Sequence, residues 1–376
     1  MPPSRSRVVF GVVLVWTLIL AAATSAAEWY LRSRYLSIAR SDRLQAGMSI
    51  PDRTLGWRLS PSWRGRHGHH DFEVGYSINA GGFRGLDARA HPPAARSVAL
   101  VGDSFTFGIG VNDEETFAHL LNQGQPGAVR FYNFSVPGYS TDQEVLLAEQ
   151  QVLARRPDVL VLVVYLANDL FDNQLTMPLQ GRRAKPRFLL QNDELVLTNS
   201  PVPNGPMDRT GQPTLLDMVL GNRPDDARLR QRLEGRSYLF RLLSETILPA
   251  ASEDPQFDQR FAPALQLFWA LIDRLQGGCA ATGTRCAIAL MGGRSFVEAP
   301  SSLSAQFQDF FRRRIGGGAA ERGVDVIDIG AELRRRYERQ SGDWFHPNEG
   351  HLNAEGHLVV ASMFAEALTA LEKRSR

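Results

Sequence analysis

The sequence predicts an α/β domain built on a parallel β-sheet and preceded by one N-terminal transmembrane helix. From residue 95 onward, short apolar runs alternate with segments of helical periodicity. This pattern is typical of βαβ units, whose sheet is covered by helices on both faces. Residues 158–166 form the most apolar of these runs, which indicates a strand buried on both faces. Residues 8–27 carry no charge and are long enough to cross a bilayer once.

The composition is that of a protein with a sizeable core. Of the 376 residues, 43% are hydrophobic and 9% are aromatic, which excludes a disordered scaffold. The 42 basic and 40 acidic residues give a formal net charge of +2. The basic residues are scattered and form no dense stripe that would follow a phosphate backbone, so we expect no nucleic-acid partner.

Residues 1–35 are predicted to be a membrane anchor. Two arginines precede the apolar run, and Trp29 and Tyr30 follow it, where aromatic residues would collect at the membrane interface. The alternative is a cleavable signal peptide, because residues 21–27 are rich in small side chains that could form a cleavage site. The apolar run is long for a signal peptide, which favours the uncleaved anchor. Under both interpretations the rest of the chain is exported.

Residues 36–94 are predicted to be an irregular lead-in to the main domain. They are polar and contain several Gly and Pro residues, which favour turns and loops. Three clustered histidines could in principle bind a metal, but a solvated loop is the interpretation that we prefer. These histidines are His67, His69 and His70.

The main domain is placed at residues 95–376. Residues 172–258 interrupt the alternation of strands and helices and are predicted to be an insertion or cap, with a hairpin at residues 188–197 that turns at an Asn-Asp pair. Elsewhere the predicted strands are 97–101, 129–134, 158–166, 286–291 and 324–329, and the predicted helices are 115–122, 142–155, 262–275, 305–314 and 354–371.

The two cysteines, Cys279 and Cys286, lie in a short segment of small residues that reads as a loop. A disulfide would close this segment in an oxidising compartment, and two buried free thiols are the alternative. Two thiols with no His nearby do not complete a tetrahedral metal site. We predict neither a metal nor another cofactor.

Four polar segments follow predicted strands, at positions where reactive groups collect in parallel α/β sheets. Ser104 comes directly after the first strand, in Gly-Asp-Ser. Gly138 lies in a turn after the second strand, and Asn168 ends the most apolar one. The fourth segment, residues 343–357, precedes the last helix and contains three histidines. Singly, each segment is ordinary turn or helix-capping sequence, but their joint occurrence in this order favours a common site.

These residue types have the chemistry of nucleophilic catalysis. A Ser hydroxyl becomes a good nucleophile when a base removes its proton, and His is the side chain suited to this near neutral pH. The tetrahedral intermediate then needs two or three hydrogen-bond donors for its oxyanion. The Ser104 and Gly138 N–H groups and the Asn168 amide are the candidates for these donors.

The sequence resembles the SGNH/GDSL hydrolase superfamily in four blocks, and the resemblance spans residues 95–365. The blocks are Gly102-Asp-Ser-Phe-Thr-Phe-Gly108, Gly138, Asn168-Asp169 and His351-Leu-Asn-Ala-Glu-Gly-His357. Two flanking phrases, Leu55-Gly-Trp-Arg58 and Ile78-Asn-Ala-Gly-Gly-Phe-Arg84, are similar to membrane-anchored bacterial members associated with cell-envelope polysaccharides.

This resemblance implies a flavodoxin-like three-layer α/β/α fold. It also implies that Ser104 is the nucleophile and an oxyanion donor, that Gly138 and Asn168 are further donors, and that a C-terminal His is the base. The implied location is the bacterial inner membrane, crossed once, with the catalytic domain in the periplasm or outside the cell.

The fourth block departs from the family pattern, in which an Asp precedes the catalytic His by two or three residues. Glu349 takes this place before His351, whereas Asp343 precedes His346 by three residues. We prefer His351 with Glu349, because the residues downstream of His351 match the family block. His346 with Asp343 is the reserve pair. In either pair the carboxylate would orient the imidazole and stabilise its cationic form.

Three functions are compatible with these residues. The first is a serine esterase that removes an acetyl or other short acyl group from an envelope glycan or lipid. The second is an O-acyltransferase that passes the same acyl group to an extracytoplasmic polysaccharide. The third is a non-catalytic, glycan-binding scaffold on a hydrolase-like fold. We prefer the esterase.

Overall fold

The structure is a computed structural model, and it describes residues 5–88, 96–124, 129–205, 212–220, 233, 236–240, 242 and 256–374. Much of the predicted insertion at 172–258 therefore lies outside the described residues, and its outline stays a prediction. The N-terminal helix, α1, spans Arg5–Ser41. It is long and apolar enough to cross a membrane, and its apolar part is not buried in the protein.

The lead-in is not irregular, which corrects the expectation from the sequence. Five short strands form a three-stranded antiparallel sheet of order β1-β4-β5 and a separate β2-β3 hairpin. Alternate residues such as Trp57, Leu59 and Tyr76 are buried in the main core, so the pairing is fixed by tertiary contact. The strands are β1 (Arg43–Leu44), β2 (Ser49–Asp52), β3 (Gly56–Leu59), β4 (Arg64–His69) and β5 (Phe72–Ser77).

The clustered histidines do not all lie on a solvated loop, as the sequence had led us to expect. His67 is buried. Its Nδ1 lies 2.9 Å from the Tyr76 hydroxyl and its Nε2 lies 2.8 Å from Asp42 Oδ1. The prediction failed for His67 because the partners that bury it come from other elements.

The main domain has the predicted α/β fold. Its five parallel strands are arranged in the order β12-β11-β8-β6-β7. Leu160 and Leu162 face one layer of helices, whereas Val161 and Val163 face the other. Burial on both faces explains the continuous apolar sequence of the central strand. The strands are β6 (Arg96–Gly102), β7 (Val129–Asn133), β8 (Val159–Tyr165), β11 (Arg285–Met291) and β12 (Asp325–Ile327).

Helices cover both faces of this sheet and complete three layers. One face packs against α4, α7 and α9, and the other against α3, α8, α10 and α11. The helices are α2 (Ser104–Phe107), α3 (Phe117–Gly124), α4 (Thr141–Leu147), α5 (Asp169–Asp172), α6 (Leu215–Leu220), α7 (Gln256–Thr282), α8 (Arg294–Glu298), α9 (Leu303–Arg322), α10 (Ile329–Arg339) and α11 (Ala354–Arg374).

Several predicted elements differ from the observed ones in extent. The predicted helix at 142–155 is divided into α4, a π-turn at Ala148–Val152 and a 3-10 turn at Leu153–Arg155. The predicted hairpin is confirmed as β9 (Arg187–Gln191) and β10 (Glu194–Thr198). Its turn residues, Asn192 and Asp193, both have positive φ, as a two-residue hairpin turn requires.

The cysteine segment is not the loop that the sequence predicted. Helix α7 continues through Cys279, and Cys286 lies on β11. The two Cα atoms are 6.2 Å apart, a separation that a disulfide spans. The disulfide would therefore fasten the end of a helix to the start of its neighbouring strand.

Candidate active site

Ser104 lies on a tight turn between β6 and α2. Gly102 ends the strand, and a Cβ at this position would lie 2.4 Å from Thr106 Oγ1, so only Gly fits. Asp103 caps the short helix by accepting a hydrogen bond from the Phe105 N–H at 2.9 Å. This turn fixes Ser104 at the carboxyl edge of the sheet, where its side chain is part-buried.

The loop before α11 brings His351 and Glu349 to Ser104. His351 Nε2 lies 2.7 Å from Ser104 Oγ, and His351 Nδ1 lies 2.6 Å from Glu349 Oε1. The His351 backbone N–H also donates to Glu349 Oε2 at 2.9 Å. The carboxylate thus holds both the ring and the backbone of His351, and the free ring nitrogen faces the serine.

The reserve pair has different contacts. His346 Nε2 lies 3.1 Å from the Gly110 carbonyl oxygen, and its ring packs against Phe72 with centroids 4.8 Å apart. The backbone carbonyl of Asp343 accepts a hydrogen bond from the Asn353 amide. Within the described ranges, no hydrogen bond joins His346 to Ser104 or to the Asp343 carboxylate. His346 fastens the loop that carries His351.

The electrostatics of the site keep Glu349 ionised and make His351 more basic than an ordinary histidine. Burial disfavours the carboxylate, but the neighbouring His351 outweighs burial and lowers the pKa of Glu349 to about 2. Burial also disfavours the imidazolium, but the Glu349 carboxylate outweighs it and raises the pKa of His351. By contrast, burial lowers the pKa of His346. Of these two histidines, His351 has the environment that suits proton transfer.

Gly138 and Asn168 lie at the same edge of the sheet as Ser104. Strand β6 lies between β7 and β8, so the turns that follow the three strands converge. The pairing continues beyond β7, because the Val136 N–H donates to the Gly102 carbonyl at 3.0 Å. Gly138 has a φ of +82°, a conformation that favours glycine.

Asn168 is held by a buried carboxylate. Its Nδ2 donates to Asp172 Oδ2 at 2.8 Å, while Asp172 Oδ1 accepts from the Leu179 N–H at 2.7 Å. Burial raises the pKa of Asp172 to about 6. These bonds fix the orientation of the Asn168 amide.

Asp71, which lies at the turn between β4 and β5, is a site residue that the sequence alone did not indicate. Asp71 Oδ2 accepts from the Asn348 and Glu349 backbone N–H groups at 2.7 and 2.9 Å, and its Oδ1 accepts from Asn348 Nδ2 at 2.6 Å. The side chain is only 3% exposed. Alternation of apolar and polar residues within 64–77 could have indicated the hairpin. No local sequence pattern, however, indicates that Asp71 has a partner in the loop before α11.

Arg84 is a second residue whose contacts the sequence did not reveal. Its buried guanidinium lies 2.7 Å from Asp113 Oδ1 and donates to the backbone carbonyls of Gly108 and Val111. These contacts fix the loop that follows α2, and this loop contains the Gly110 carbonyl that His346 contacts. The lead-in therefore supports the site from two sides.

Among the residues that the structure describes, no group of three or more His, Cys, Asp or Glu side chains could hold a metal ion. The site consists instead of a hydroxyl, an imidazole and a carboxylate in hydrogen-bond contact. This arrangement can activate a nucleophile without a cofactor.

The sequence pattern of the GDSL-like Lipase/Acylhydrolase family matches residues 100–359. The chain belongs to this family, and it is an ester hydrolase by class. The match begins at Leu100, within β6, and ends at Val359, in the first half of α11. No curated protein has a significantly similar sequence.

Several solved structures are similar in fold. A lipolytic G-D-S-L family protein from Veillonella parvula DSM 2008 has 14% identity and a TM-score of 0.37, over 73% of this chain and 98% of that chain. An acetylxylan esterase from Geobacillus stearothermophilus has 14% identity and a TM-score of 0.37, over 73% and 95%. The acetyl xylan esterase AlAXEase has 14% identity and a TM-score of 0.40, over 72% and 98%.

Proposed function

We propose that this protein is a membrane-anchored serine esterase that removes an acetyl or other short acyl group from an envelope glycan or lipid. The observation that carries the proposal is the continuous contact from Ser104 Oγ through the His351 ring to Glu349, with distances of 2.7 and 2.6 Å. A base held in this way removes the hydroxyl proton as the nucleophile attacks.

In the first half of the reaction, Ser104 Oγ bonds to the ester carbonyl carbon while His351 Nε2 accepts the hydroxyl proton. The carbonyl oxygen becomes an oxyanion, for which the Ser104 and Gly138 N–H groups and the Asn168 amide are the proposed donors. The intermediate then collapses, the bond to the alcohol oxygen breaks, and His351 returns the proton to the leaving alcohol. An acyl group remains on Ser104.

In the second half, His351 removes a proton from water, and the hydroxide oxygen bonds to the acyl carbon. The bond to Ser104 Oγ breaks, His351 returns its proton to this oxygen, and the carboxylic acid leaves. Glu349 stays ionised throughout and stabilises the imidazolium that forms in each half. Its low pKa, about 2, fits this role.

The proposal can be tested with a fluorophosphonate probe, which labels an activated serine. We expect the full-length protein in detergent to be labelled, and we expect Ser104→Ala and His351→Ala to lose the label. His346→Ala should keep it in the fraction that circular dichroism shows to be folded. An unlabelled wild type would contradict the serine mechanism. A label that survives His351→Ala and is lost in His346→Ala would make His346 the base.

A further inference from the structure

Helix α1, the proposed anchor, contacts the catalytic loop, which we define as residues 340–353 before α11. Helix α1 is continuous from Arg5 to Ser41, so no flexible linker separates the apolar run at 8–27 from the domain. Trp29 and Tyr30 follow this run and are exposed, as residues at a membrane interface are. Further along the helix, Arg34 Nη2 lies 3.4 Å from Oδ1 of Asn348, the residue that precedes Glu349.

The height of the active site above the bilayer follows from helix geometry. Arg34 is seven residues beyond Ala27, and at about 1.5 Å per residue this is about 10 Å along the axis. The headgroup layer on each side of the hydrocarbon core is itself about 6 Å thick. Asn348 neighbours Glu349, so the catalytic loop lies just above the headgroups.

Six residues before Arg34, α1 also contacts residues 237–239 of the predicted insertion. Glu28 accepts hydrogen bonds from the Tyr238 and Leu239 N–H groups at 3.0 and 2.9 Å and from the Ser237 hydroxyl at 2.9 Å. At the other end of the exposed part of α1, Asp42 contacts His67, and β1 follows directly and pairs with β4. The turn after β4 carries Asp71, which holds the catalytic loop.

From this arrangement we propose that the substrate is an acyl ester carried by a lipid in the same bilayer. This inference rests on the proposed esterase function and narrows its substrate class. A rigid connection keeps the serine close to the headgroups, which favours an ester that is held at the membrane surface. A lipid-linked ester fulfils this condition by its own anchoring.

The test changes the height of the site and leaves its chemistry intact. Helical segments of seven and fourteen residues built from Glu, Ala and Lys are inserted between Ala27 and Glu28 in the full chain, which is reconstituted in phosphatidylcholine vesicles. Seven residues raise the domain by about 10 Å and fourteen by about 20 Å, with little rotation about the helix axis. Glu28 and its contacts move with the domain.

Two substrates with the same acetylated sugar separate the outcomes. One is a 6-O-acetyl-glucosyl diacylglycerol in the vesicles, and the other is soluble methyl 6-O-acetyl-glucoside. We expect the fourteen-residue insertion to reduce hydrolysis of the lipid-linked ester at least tenfold and to change hydrolysis of the soluble ester less than twofold. The seven-residue insertion should give an intermediate loss with the lipid-linked ester.

The proposal of a lipid-linked substrate would be overturned if the ratio of the two hydrolysis rates were the same with and without the insertions. A wild type that hydrolyses only the soluble ester would overturn it as well. Both results leave the esterase proposal standing. A wild type that hydrolyses neither ester, nor any acetyl ester that releases a chromogenic alcohol, would instead overturn the proposed function. Ser104→Ala measures the background for both substrates.

Discussion

At the scale of single residues, the proposed chemistry depends on how Glu349 holds His351. The carboxylate accepts hydrogen bonds from both the ring and the backbone of His351, so it sets the ring's orientation and its pKa together. In the proposed mechanism His351 must be neutral to accept the serine proton. The reaction rate should therefore rise with pH as His351 loses its proton.

Glu349→Gln should alter both the rate and its pH dependence. In the wild type, Glu349 raises the pKa of His351 above its ordinary value of 6.5, so the acid limb of kcat/KM should lie above pH 6.5. Without the carboxylate the pKa falls, and the limb should move to lower pH. The rate at the plateau should fall by about 10³- to 10⁴-fold, because the ring loses its orientation. A pH–rate profile with a chromogenic acetyl ester measures both effects. An unshifted limb would contradict the role of Glu349.

Asp71 is predicted to be a positioning residue. Asp71→Ala removes three hydrogen bonds to Asn348 and Glu349, and the resulting displacement of the loop should reduce kcat by about 10- to 100-fold with little change in KM. The acid limb of the kcat/KM profile should also move to lower pH, as in Glu349→Gln. Asp71→Asn keeps one oxygen for the two backbone N–H groups and should retain most of the activity.

Glu73→Ala is the matched control for Asp71, because Glu73 lies on the same hairpin and its side chain is exposed in a pair with Arg66. This variant should behave as the wild type. Equal kinetic parameters for Asp71→Ala and Glu73→Ala would show that Asp71 does not position the loop.

At the scale of the elements, a buried ion pair joins α4 to the start of the predicted insertion. Lys185 and Asp142 contact each other, and both side chains are completely buried. Lys185→Met leaves an uncompensated carboxyl group and should reduce the free energy of unfolding by about 3–5 kcal/mol. The double variant with Asp142→Leu should recover much of this loss. Chemical denaturation followed by circular dichroism measures these changes.

The Arg66 and Glu73 pair provides the surface comparison for the buried pair. Its atoms are also in contact, at 2.7 Å, but both side chains are mostly exposed, and exposed pairs contribute little. Arg66→Met should therefore change stability far less than Lys185→Met. A similar loss of stability in Arg66→Met and Lys185→Met would show that burial does not determine how much each ion pair contributes.

The Cys279 and Cys286 pair is predicted to form a disulfide between α7 and β11. A cross-link over seven residues of sequence should stabilise the folded protein by about 2 kcal/mol. Cys279→Ser with Cys286→Ser should lower Tm by several degrees. Thiol titration of the denatured wild type should find no free thiol before reduction and both thiols after it. Two free thiols before reduction would contradict the disulfide and support the alternative of two buried free thiols.

At the scale of the whole molecule, the proposed membrane anchor would determine where the enzyme works. We expect mass spectrometry of the mature protein to recover residues 1–27, and we expect the protein to stay with the membrane after alkaline carbonate extraction. A signal peptide would instead give a chain that begins near Glu28 and is released. This cleaved product would contradict both the anchor and the lipid-linked substrate, because it would free the domain from the bilayer.

The sequence determined the fold class and the edge of the sheet at which the site lies. Apolar runs that alternate with helical segments require a parallel sheet, because helical crossovers return each strand in the same direction. Ser104, Gly138 and Asn168 each follow a strand of this sheet, so the topology alone brings them to one edge. These inferences depend on patterns within short stretches of chain.

Only the tertiary structure decided which residues meet across long stretches of chain. Local spacing favoured neither His351 nor His346 decisively, whereas the folded loop directs His351 to Ser104 and His346 to Gly110. The lead-in read as irregular because its strands are short and gain their order from burial against the main domain. Asp71 and Asn348 lie 277 residues apart, and no periodicity in the sequence relates two such positions. Their contact exists because packing, which acts through space, brings the hairpin to the catalytic loop.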